Sequence, residues 1–213
     1  MQSTAVLANN RDITRFGAFG NSVAGKIIAA LGIAAMIGLA AQIRVYTPWS
    51  PVPITGQTLA VLQAGVLMGR KWGGISLSVY VLLGLAGVPW FSPQAGMPPF
   101  TAGGISHLLG PTGGYLIGFI LAAMFTGHFF KRRTLSDGIF KRLALMLFAS
   151  LIVIYVPGLV WLGVWLNTIG ETPADIAAVV AVGALPFVVG DIIKAGLVTI
   201  SARTALFGGT SHP

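Results

Sequence analysis

Long apolar runs alternate with short polar or proline-rich segments along this chain. Four of these runs cover residues 23–43, 72–90, 112–130 and 143–166. An α-helix rises about 1.5 Å per residue, so runs of this length approach or exceed the roughly 30 Å hydrocarbon core of a bilayer. None shows the alternation at every second position that is typical of a transmembrane β-strand. The pattern therefore predicts an all-α polytopic membrane protein.

Proline- and glycine-rich segments interrupt the apolar runs. Three prolines within residues 44–55 exclude a regular helix there and predict a stiff, extended path. On this path Tyr46 and Trp49 suit an interface or the lip of a pocket. A shorter apolar run, 56–69, then precedes the run over 72–90. Residues 91–111 carry no Asp, Glu, Lys or Arg and many turn formers. Long loops of this kind tend to be lids or binding loops.

The last apolar stretch is divided. A short run over 176–184 follows a helix-start signal, Thr-Pro-Ala-Asp at 172–175. Pro186 then breaks the pattern, and a final span follows over 187–203. The alternative is a single unbroken helix over 176–206.

Lys and Arg occur in every second connecting segment. The basic segments are 1–21, 70–71, 131–142 and the chain near 203, whereas the charge-poor ones are 44–55, 91–111 and 167–175. Cytoplasmic loops of membrane proteins are enriched in Lys and Arg, so we expect six transmembrane helices with both termini in the cytoplasm. The predicted boundaries are a tail over 1–21, one membrane domain over 22–207 and a second tail over 208–213.

Composition narrows the class further. Charged residues make up 8% of the chain and hydrophobic residues 55%, whereas an average soluble domain is about 25% charged. The net charge of +8 comes from small basic groups between apolar runs, so we expect no nucleic-acid partner. The absence of Cys and the scatter of the three His residues leave no metal-binding pattern, and we expect no cofactor.

Two opposite charges interrupt the last apolar run. Asp191 and Lys194 stand three residues apart and therefore share one face of a helix. Charged residues within a membrane are costly, face the interior of the bundle and usually mark a substrate or ion pathway. With the division at Pro186, the pair lies in the outer half of the final helix. The alternative is an ion pair that only holds two helices together.

Further polar residues converge on the same predicted side. Gln57 and Tyr115 stand at the outer starts of their helices, and Tyr80 lies near the middle of another. A few polar groups among aromatic residues and glycines are typical of a small-molecule site. Together with Asp191 and Lys194 they form the predicted substrate-binding set, although each residue taken singly has a structural role as its alternative.

No catalytic constellation accompanies these residues. Asp191 is the only acid within a predicted span, which leaves no carboxylate pair for acid–base catalysis. The phosphate-binding pattern G-x-x-x-x-G-K-S/T is absent from the sequence. We therefore expect a protein that is not an enzyme and whose ATP-driven step, if there is one, belongs to another subunit. A membrane enzyme or scaffold without transport is the alternative.

Four stretches between residues 45 and 203 carry a specific pattern. They read VPITGQTL (52–59), YVLLGLAGVP (80–89), GPTGGYLIGF (110–119) and LPFVVGDIIKA (185–195). In these stretches the chain resembles the BioY family, the biotin-binding S components of energy-coupling-factor (ECF) transporters. The resemblance implies a six-helix S-component fold in the bacterial plasma membrane. It also implies capture of biotin from outside by the 91–111 loop, Asp191 and Lys194, and partnership with a transmembrane coupling subunit and ABC-type ATPase subunits.

A ladder of small residues lies on the first span. Ala30, Ala34 and Gly38 recur every four residues, a pattern that lets another helix approach closely. From spacing alone, an internal packing face is at least as well supported as an external one. The resemblance implies the external use, because a face of small residues on the first helix docks the coupling subunit in related S components.

The resemblance leaves the orientation of the ligand open. Residues 91–111 contain no Arg or Lys that could hold a ligand carboxylate, so Lys194, Arg44 and backbone N–H groups remain as candidates. An S component for another vitamin, such as thiamine or riboflavin, is the alternative function. Membrane lipid is an expected partner, and assembly with further copies of the chain stays open.

Overall fold

In this computed structural model of the chain, the residues described are 22–130, 138–169 and 173–207, without the side chains of 203–207. The predicted tails over 1–21 and 208–213 lie outside the described residues, as does most of the basic loop at 131–142. The boundaries predicted for the tails and for the single membrane domain therefore stay predictions.

Helices make up most of the described chain. In chain order they are α1 Val23–Gln42, α2 Gln57–Leu85, α3 Ser106–Leu109, α4 Gly113–Phe129, α5 Ile139–Phe148, α6 Tyr155–Thr168, α7 Ile176–Gly183 and α8 Leu185–Phe207. A π-helical segment, Ala149–Ile154, joins α5 to α6. The resulting rod begins at Ile139, a few residues inside the segment that the sequence predicts as a basic loop.

Several of these helices have the dimensions of membrane spans. Within the described residues, three are long and apolar enough to cross a bilayer, and Gly113–Phe129 is apolar but somewhat shorter. The three long ones are Val23–Gln42, Ile139–Thr168 and Leu185–Ala202. The predicted runs over 23–43, 112–130 and 143–166 thus correspond to helices, with boundaries shifted by a few residues.

Helix α2 turns sharply at Gly69. Its φ of +72° and ψ of 177° leave the helical region, and glycine adopts a positive φ without the steric penalty of a side chain. Gly127, near the end of α4, packs directly against the Gly69 backbone, where a side chain would overlap it. The predicted division of this apolar stretch between residues 69 and 72 is confirmed.

The break between α7 and α8 also lies where the sequence predicts it. Ala184, with φ −126° and ψ −55°, ends α7, and Pro186 is the second residue of α8, where the missing N–H of proline is tolerated. Asp175 caps α7 by accepting a hydrogen bond from the backbone N–H of Ala178. The alternative of one unbroken helix over 176–206 is wrong.

A short β-hairpin connects α1 to α2. Strand β1, Arg44–Val45, pairs antiparallel with β2, Ile54–Thr55, and the three prolines lie in the turn between them. The sequence predicts the extended path but not the pairing, because two-residue strands carry no readable periodicity. The described chain is otherwise mostly helical, as predicted, and this hairpin is a small addition to the helices.

The loop after α2 is tied back to the end of α1. Gln42 donates from Nε2 to the carbonyl oxygens of Trp90 and Phe91, at 3.2 and 3.3 Å, and accepts from the backbone N–H of Phe100. Arg44 donates to the carbonyl oxygen of Met97 at 2.7 Å. These bonds hold the 91–111 loop over the start of α2.

The small residues of α1 face the interior of the same chain. Ala30 and Ala34 are 2% and 0% exposed, and a side chain at Gly38 would come within 2.9 Å of Trp90 Cβ. The ladder is therefore an internal packing face, as its spacing alone also allowed. The prediction that Ala30, Ala34 and Gly38 dock a coupling subunit is corrected, because no partner can reach buried residues.

The helical bundle has two ends of different character. At the first, which we call the loop end, the hairpin, the 91–111 loop and the start of α7 meet. At the second, the basic end, α2 turns at Gly69 and α5 begins. The basic end is packed around a small apolar cluster of Leu62, Phe130, Met146, Ala149, Ala195, Val198 and Ala202. A larger apolar core lies towards the loop end and surrounds the cavity described next.

Candidate functional site

A cavity opens at the loop end, between α2, α4, the π-helical segment and α8. All five residues of the predicted binding set line it: Gln57, Tyr80, Tyr115, Asp191 and Lys194. Its volume is about 60 Å³, well below the roughly 300–1,000 Å³ that is usual for small-molecule sites. The structure thus brings together residues that the sequence separates by well over a hundred positions.

One side of the cavity carries the charges. Lys194 Nζ lies 2.8 Å from Asp191 Oδ1, and the Tyr155 hydroxyl donates to Asp191 Oδ2 at 2.9 Å. Asp191 is only 3% exposed. A buried carboxylate needs such partners, because an unpaired charge is strongly destabilising there. We call Tyr155, Asp191 and Lys194 the charged side.

The facing side is neutral. Gln57 donates from Nε2 to the Tyr80 hydroxyl at 2.9 Å and accepts from the Thr55 hydroxyl at 3.2 Å. Tyr80 is fixed by the indole N–H of Trp90, which donates to the Tyr80 backbone carbonyl at 3.0 Å. We call Thr55, Gln57 and Tyr80 the neutral side. The side-chain amide of Gln57 is therefore oriented by hydrogen bonds, and this network ends on the backbone.

Tyr115 contributes its ring to the cavity but not its hydroxyl. The hydroxyl donates to the carbonyl oxygen of Gly183 at 2.7 Å, a group left without a helical partner where α7 ends. The ring lies against Gly158, where any side chain would overlap it. Gly114 likewise leaves room for the Pro157 backbone, so the glycine-rich start of α4 permits the close approach to α6 that sets this ring in place.

Apolar side chains complete the walls. They are Val52, Phe91, Leu116, Phe119, Ile154 and Phe187. A small-molecule site of this composition binds chiefly by burying apolar surface, while its few polar groups orient the ligand.

Sequence reasoning missed Tyr155 and His107. Tyr155 follows the π-helical segment within a long apolar run, where an aromatic residue looks like any other core position. His107 lies on the short helix α3, stacks on Phe91 with ring centres 5.0 Å apart, and bonds through Nε2 to the Ser92 carbonyl at 2.9 Å. Burial lowers the pKa of His107, and the bond to Ser92 opposes this only in part. A lone histidine in an uncharged loop carries no spacing signal that could have identified it.

The two cationic candidates for holding a ligand carboxylate, Lys194 and Arg44, lie in different places. Lys194 lines the cavity but already pairs with Asp191. Arg44 lies outside the cavity lining and bonds to the 91–111 loop. Among the described residues, Lys194 is thus the one Lys or Arg that lines the cavity, and it is already paired with Asp191.

Comparison with known proteins supplies the family. The model of the BioY family matches residues 10–207. The chain belongs to the BioY family. A "Probable biotin transporter BioY" of Methanothermobacter thermautotrophicus is 48% identical over 132 residues, which cover 62% of this chain and 79% of that protein. The "Biotin transporter BioY" of Rhodobacter capsulatus is 32% identical over 204 residues, or 91% of this chain and 92% of the relative.

A solved structure shares the BioY fold seen here. The crystal structure of the S-component for biotin from an ECF-type ABC transporter superposes with a TM-score of 0.72 at 27% identity, over 84% of this chain and 89% of that one. The predicted resemblance to BioY is confirmed. BioY proteins are transporter components of membranes, so the expectations of a membrane protein that is not an enzyme are confirmed with it.

Proposed function

We propose that this chain is the biotin-capturing S component of an ECF-type transporter in the bacterial plasma membrane. In this proposal it crosses the membrane six times, with both termini in the cytoplasm and the cavity open to the outside. The observation that carries the proposal is the cavity itself, which is lined by the Asp191 carboxylate, the Gln57 amide and apolar side chains. The names of the relatives and of the solved structure support biotin as the ligand.

The chemistry of biotin fits the two sides of the cavity. Its ureido ring presents two N–H donors and one carbonyl acceptor, and the fused thioether ring is apolar. A carboxylate has about four acceptor positions, so Asp191 can accept a ureido N–H while it keeps Lys194 and Tyr155. Gln57 can donate or accept across the cavity, and Phe119 and Phe187 can cover the thioether ring.

Such an arrangement also supports selectivity. A hydrogen bond to a charged group contributes about 1.5–3 kcal/mol. A ligand that lacks the matching donor leaves the buried carboxylate without that hydrogen bond. Such a ligand is rejected more strongly than a ligand that differs only in its apolar shape. Thiamine and riboflavin present different donor patterns to Asp191, so we expect both to bind more weakly than biotin.

Calorimetric titration of the purified protein tests the ligand. We expect saturable one-to-one binding of biotin and little competition from a tenfold excess of thiamine or riboflavin, which requires about hundredfold discrimination or more, roughly 2.8 kcal/mol. Binding of another vitamin in place of biotin would support the alternative S-component function. Absence of binding to any vitamin would contradict the proposal.

If transport is driven by ATP, another subunit must hydrolyse it, because this sequence has no G-x-x-x-x-G-K-S/T phosphate-binding pattern. We therefore propose a membrane coupling subunit and ATP-hydrolysing subunits as partners. Copurification with a tagged chain tests the partnership, and uptake of labelled biotin with and without the ATPase subunits tests their need. Full uptake by the chain alone would contradict this part of the proposal.

A further inference from the structure

A second cavity adjoins the first at the loop end. It lies between the hairpin turn, the 91–111 loop and the end of α6, and its volume is about 610 Å³. The main cavity measures only about 60 Å³, which is too small to enclose a whole vitamin. A ligand that reaches Asp191 therefore extends into the second cavity, past the residues that line both. These shared residues are Pro53, Ser92, His107 and Thr112.

Of the four shared residues, His107 is the one whose side chain can change its charge near neutral pH. Its Nε2 lies 2.9 Å from the carbonyl oxygen of Ser92. A carbonyl oxygen only accepts hydrogen bonds, so Nε2 carries the hydrogen and Nδ1 of the neutral ring has a lone pair. Nδ1 has no hydrogen-bond partner among the described residues. It is also not one of their buried unpaired atoms, so it is accessible to a ligand.

The two cavities offer no spare positive charge to an anionic ligand. In the part of the chain that the structure describes, Asp191 and Lys194 are the Asp, Glu, Lys or Arg residues that line them, and these two charges cancel. Burial lowers the pKa of His107, with partial opposition from the bond to Ser92, so the ring is neutral in the empty site at neutral pH. A ligand carboxylate thus enters as an uncompensated charge, which is costly away from water.

We propose that His107 takes up a proton when the ligand binds, and that its Nδ1–H then donates a hydrogen bond to the ligand carboxylate. The inference rests on the proposed function, which places the ureido ring at Asp191 and leaves the carboxylate at the opposite end of the ligand. Solvent supplies one proton for each carboxylate bound, so the added charges balance. The bond from Nε2 to Ser92 stays in place, and a bond between two ionised groups is stronger than a neutral one.

This linkage fixes the direction of the pH dependence. His107 is neutral in the empty chain and protonated in the complex, so its pKa is higher in the complex. Between these two pKa values, biotin affinity rises by up to about tenfold for each unit by which the pH falls. Below the lower of the two, both states are protonated and the affinity levels off. An alkyl carboxylate such as that of Glu titrates near about pH 4.3, so the ligand stays ionised above about pH 5.5.

Other titratable groups also face the two cavities. Biotin and its primary amide share the same rings, so a group that titrates near the rings changes the binding of both alike. A group near the tail is separated from His107 by a variant of His107 itself. The groups concerned are Tyr46 of the hairpin turn, Tyr80 of α2, Tyr115 of α4, Tyr155 of α6, and Asp191 and Lys194 of α8.

Calorimetric titrations of the purified chain between about pH 5.5 and about pH 8 test the proposal. We expect biotin to bind at least tenfold more tightly at the lower pH, whereas the affinity of biotin primary amide changes by less than threefold. Titrations at about pH 7 in buffers of different ionisation enthalpy should show net uptake of up to about one proton with biotin. The amide, which has no carboxylate, should bind without proton uptake.

Two variants locate the effect. His107→Gln removes the charge and keeps an N–H group that can donate to the Ser92 carbonyl. In this variant biotin affinity should lose its pH dependence and be about tenfold weaker at about pH 5.5, while amide binding stays within threefold. His128→Gln is the matched control, because His128 lies in the last turn of α4 and lines neither cavity. It should leave the biotin profile unchanged.

The outcomes separate this inference from the proposed function. If biotin binds to the unmodified chain at no pH, the proposed function fails. If biotin binds with the same pH profile as its amide, or keeps its pH dependence in His107→Gln, only the role of His107 is overturned. Should His107→Gln not fold, the comparison of acid with amide and the proton count on the unmodified chain still decide.

Discussion

The two polar sides of the cavity are held in place by different kinds of hydrogen bonds. The neutral side lies along α2 and the hairpin, and its bonds end on the backbone, because the Tyr80 hydroxyl that accepts from Gln57 donates to the Trp90 carbonyl oxygen at 3.5 Å. The charged side joins α8 to the residue after the π-helical segment, and its bonds run only between side chains. One side is thus fixed by the fold, whereas the other can exchange partners.

This difference suggests a division of roles. Both oxygens of Asp191 have protein partners while the cavity is empty, so the charge is kept paired until a ligand arrives. Gln57, held between Thr55 and Tyr80, offers a fixed amide with capacity for another bond. We expect changes on the charged side to have the larger effects, because they disturb a buried charge and not only a neutral bond.

The largest effect is expected for Asp191→Asn. This change keeps the shape but leaves Lys194 without its negative partner. Truncating one member of a buried charged pair costs about 2–5 kcal/mol, so biotin affinity should fall by thirtyfold or more in calorimetry. Unchanged affinity would show that the Asp191–Lys194 pair only holds helices together.

Replacement of Gln57 on the neutral side should have a smaller effect. Gln57→Ala removes the amide and leaves the Tyr80 hydroxyl without its donor, which corresponds to about 1 kcal/mol or somewhat more. We expect biotin to bind about tenfold more weakly in the same titration. Gln63→Ala on the same helix is the matched control, because Gln63 lies outside the cavity lining and should leave affinity unchanged. A larger loss of biotin affinity than Asp191→Asn causes would show that the neutral side contributes more to binding than the charged side.

Tyr155→Phe should weaken binding less than either. Asp191 loses the hydroxyl on Oδ2 but keeps Lys194 on Oδ1, so the charge stays paired. The loss of one hydrogen bond of about 1 kcal/mol predicts a three- to tenfold drop in biotin affinity. If affinity instead matches that of Asp191→Asn, the hydroxyl and not the charge orients the ligand.

Tyr115→Phe should affect stability and leave binding alone. Its hydroxyl bonds the Gly183 carbonyl at the α7–α8 break, so we expect a loss of about 1 kcal/mol in stability, measured by thermal unfolding in detergent. Biotin affinity should stay within twofold. A tenfold loss of affinity without loss of stability would show that the hydroxyl contacts the ligand.

Sequence reasoning succeeded where a residue conflicts with its surroundings. Asp191 and Lys194 stand out because charges are rare in an apolar run. The division after residue 69 follows from the basic pair at 70–71, and the break at Pro186 follows from a backbone constraint. Tyr155 could not be found in this way, because its role depends on the local winding of the π-helical segment.

The ladder of small residues on α1 is a pattern that sequence reasoning interpreted wrongly. Ala30, Ala34 and Gly38 have the spacing of a close helix contact, and they do make one, but with the same chain. Spacing shows that a helix face is tightly packed and does not show which helix lies against it.

The most direct test of the central claim is an experimental structure of the purified chain with biotin bound. We predict that the ureido ring lies between the two polar sides, with a ureido N–H within hydrogen-bonding distance of the Asp191 carboxylate. Biotin bound outside this cavity, or with its ureido ring turned away from Asp191, would contradict the account.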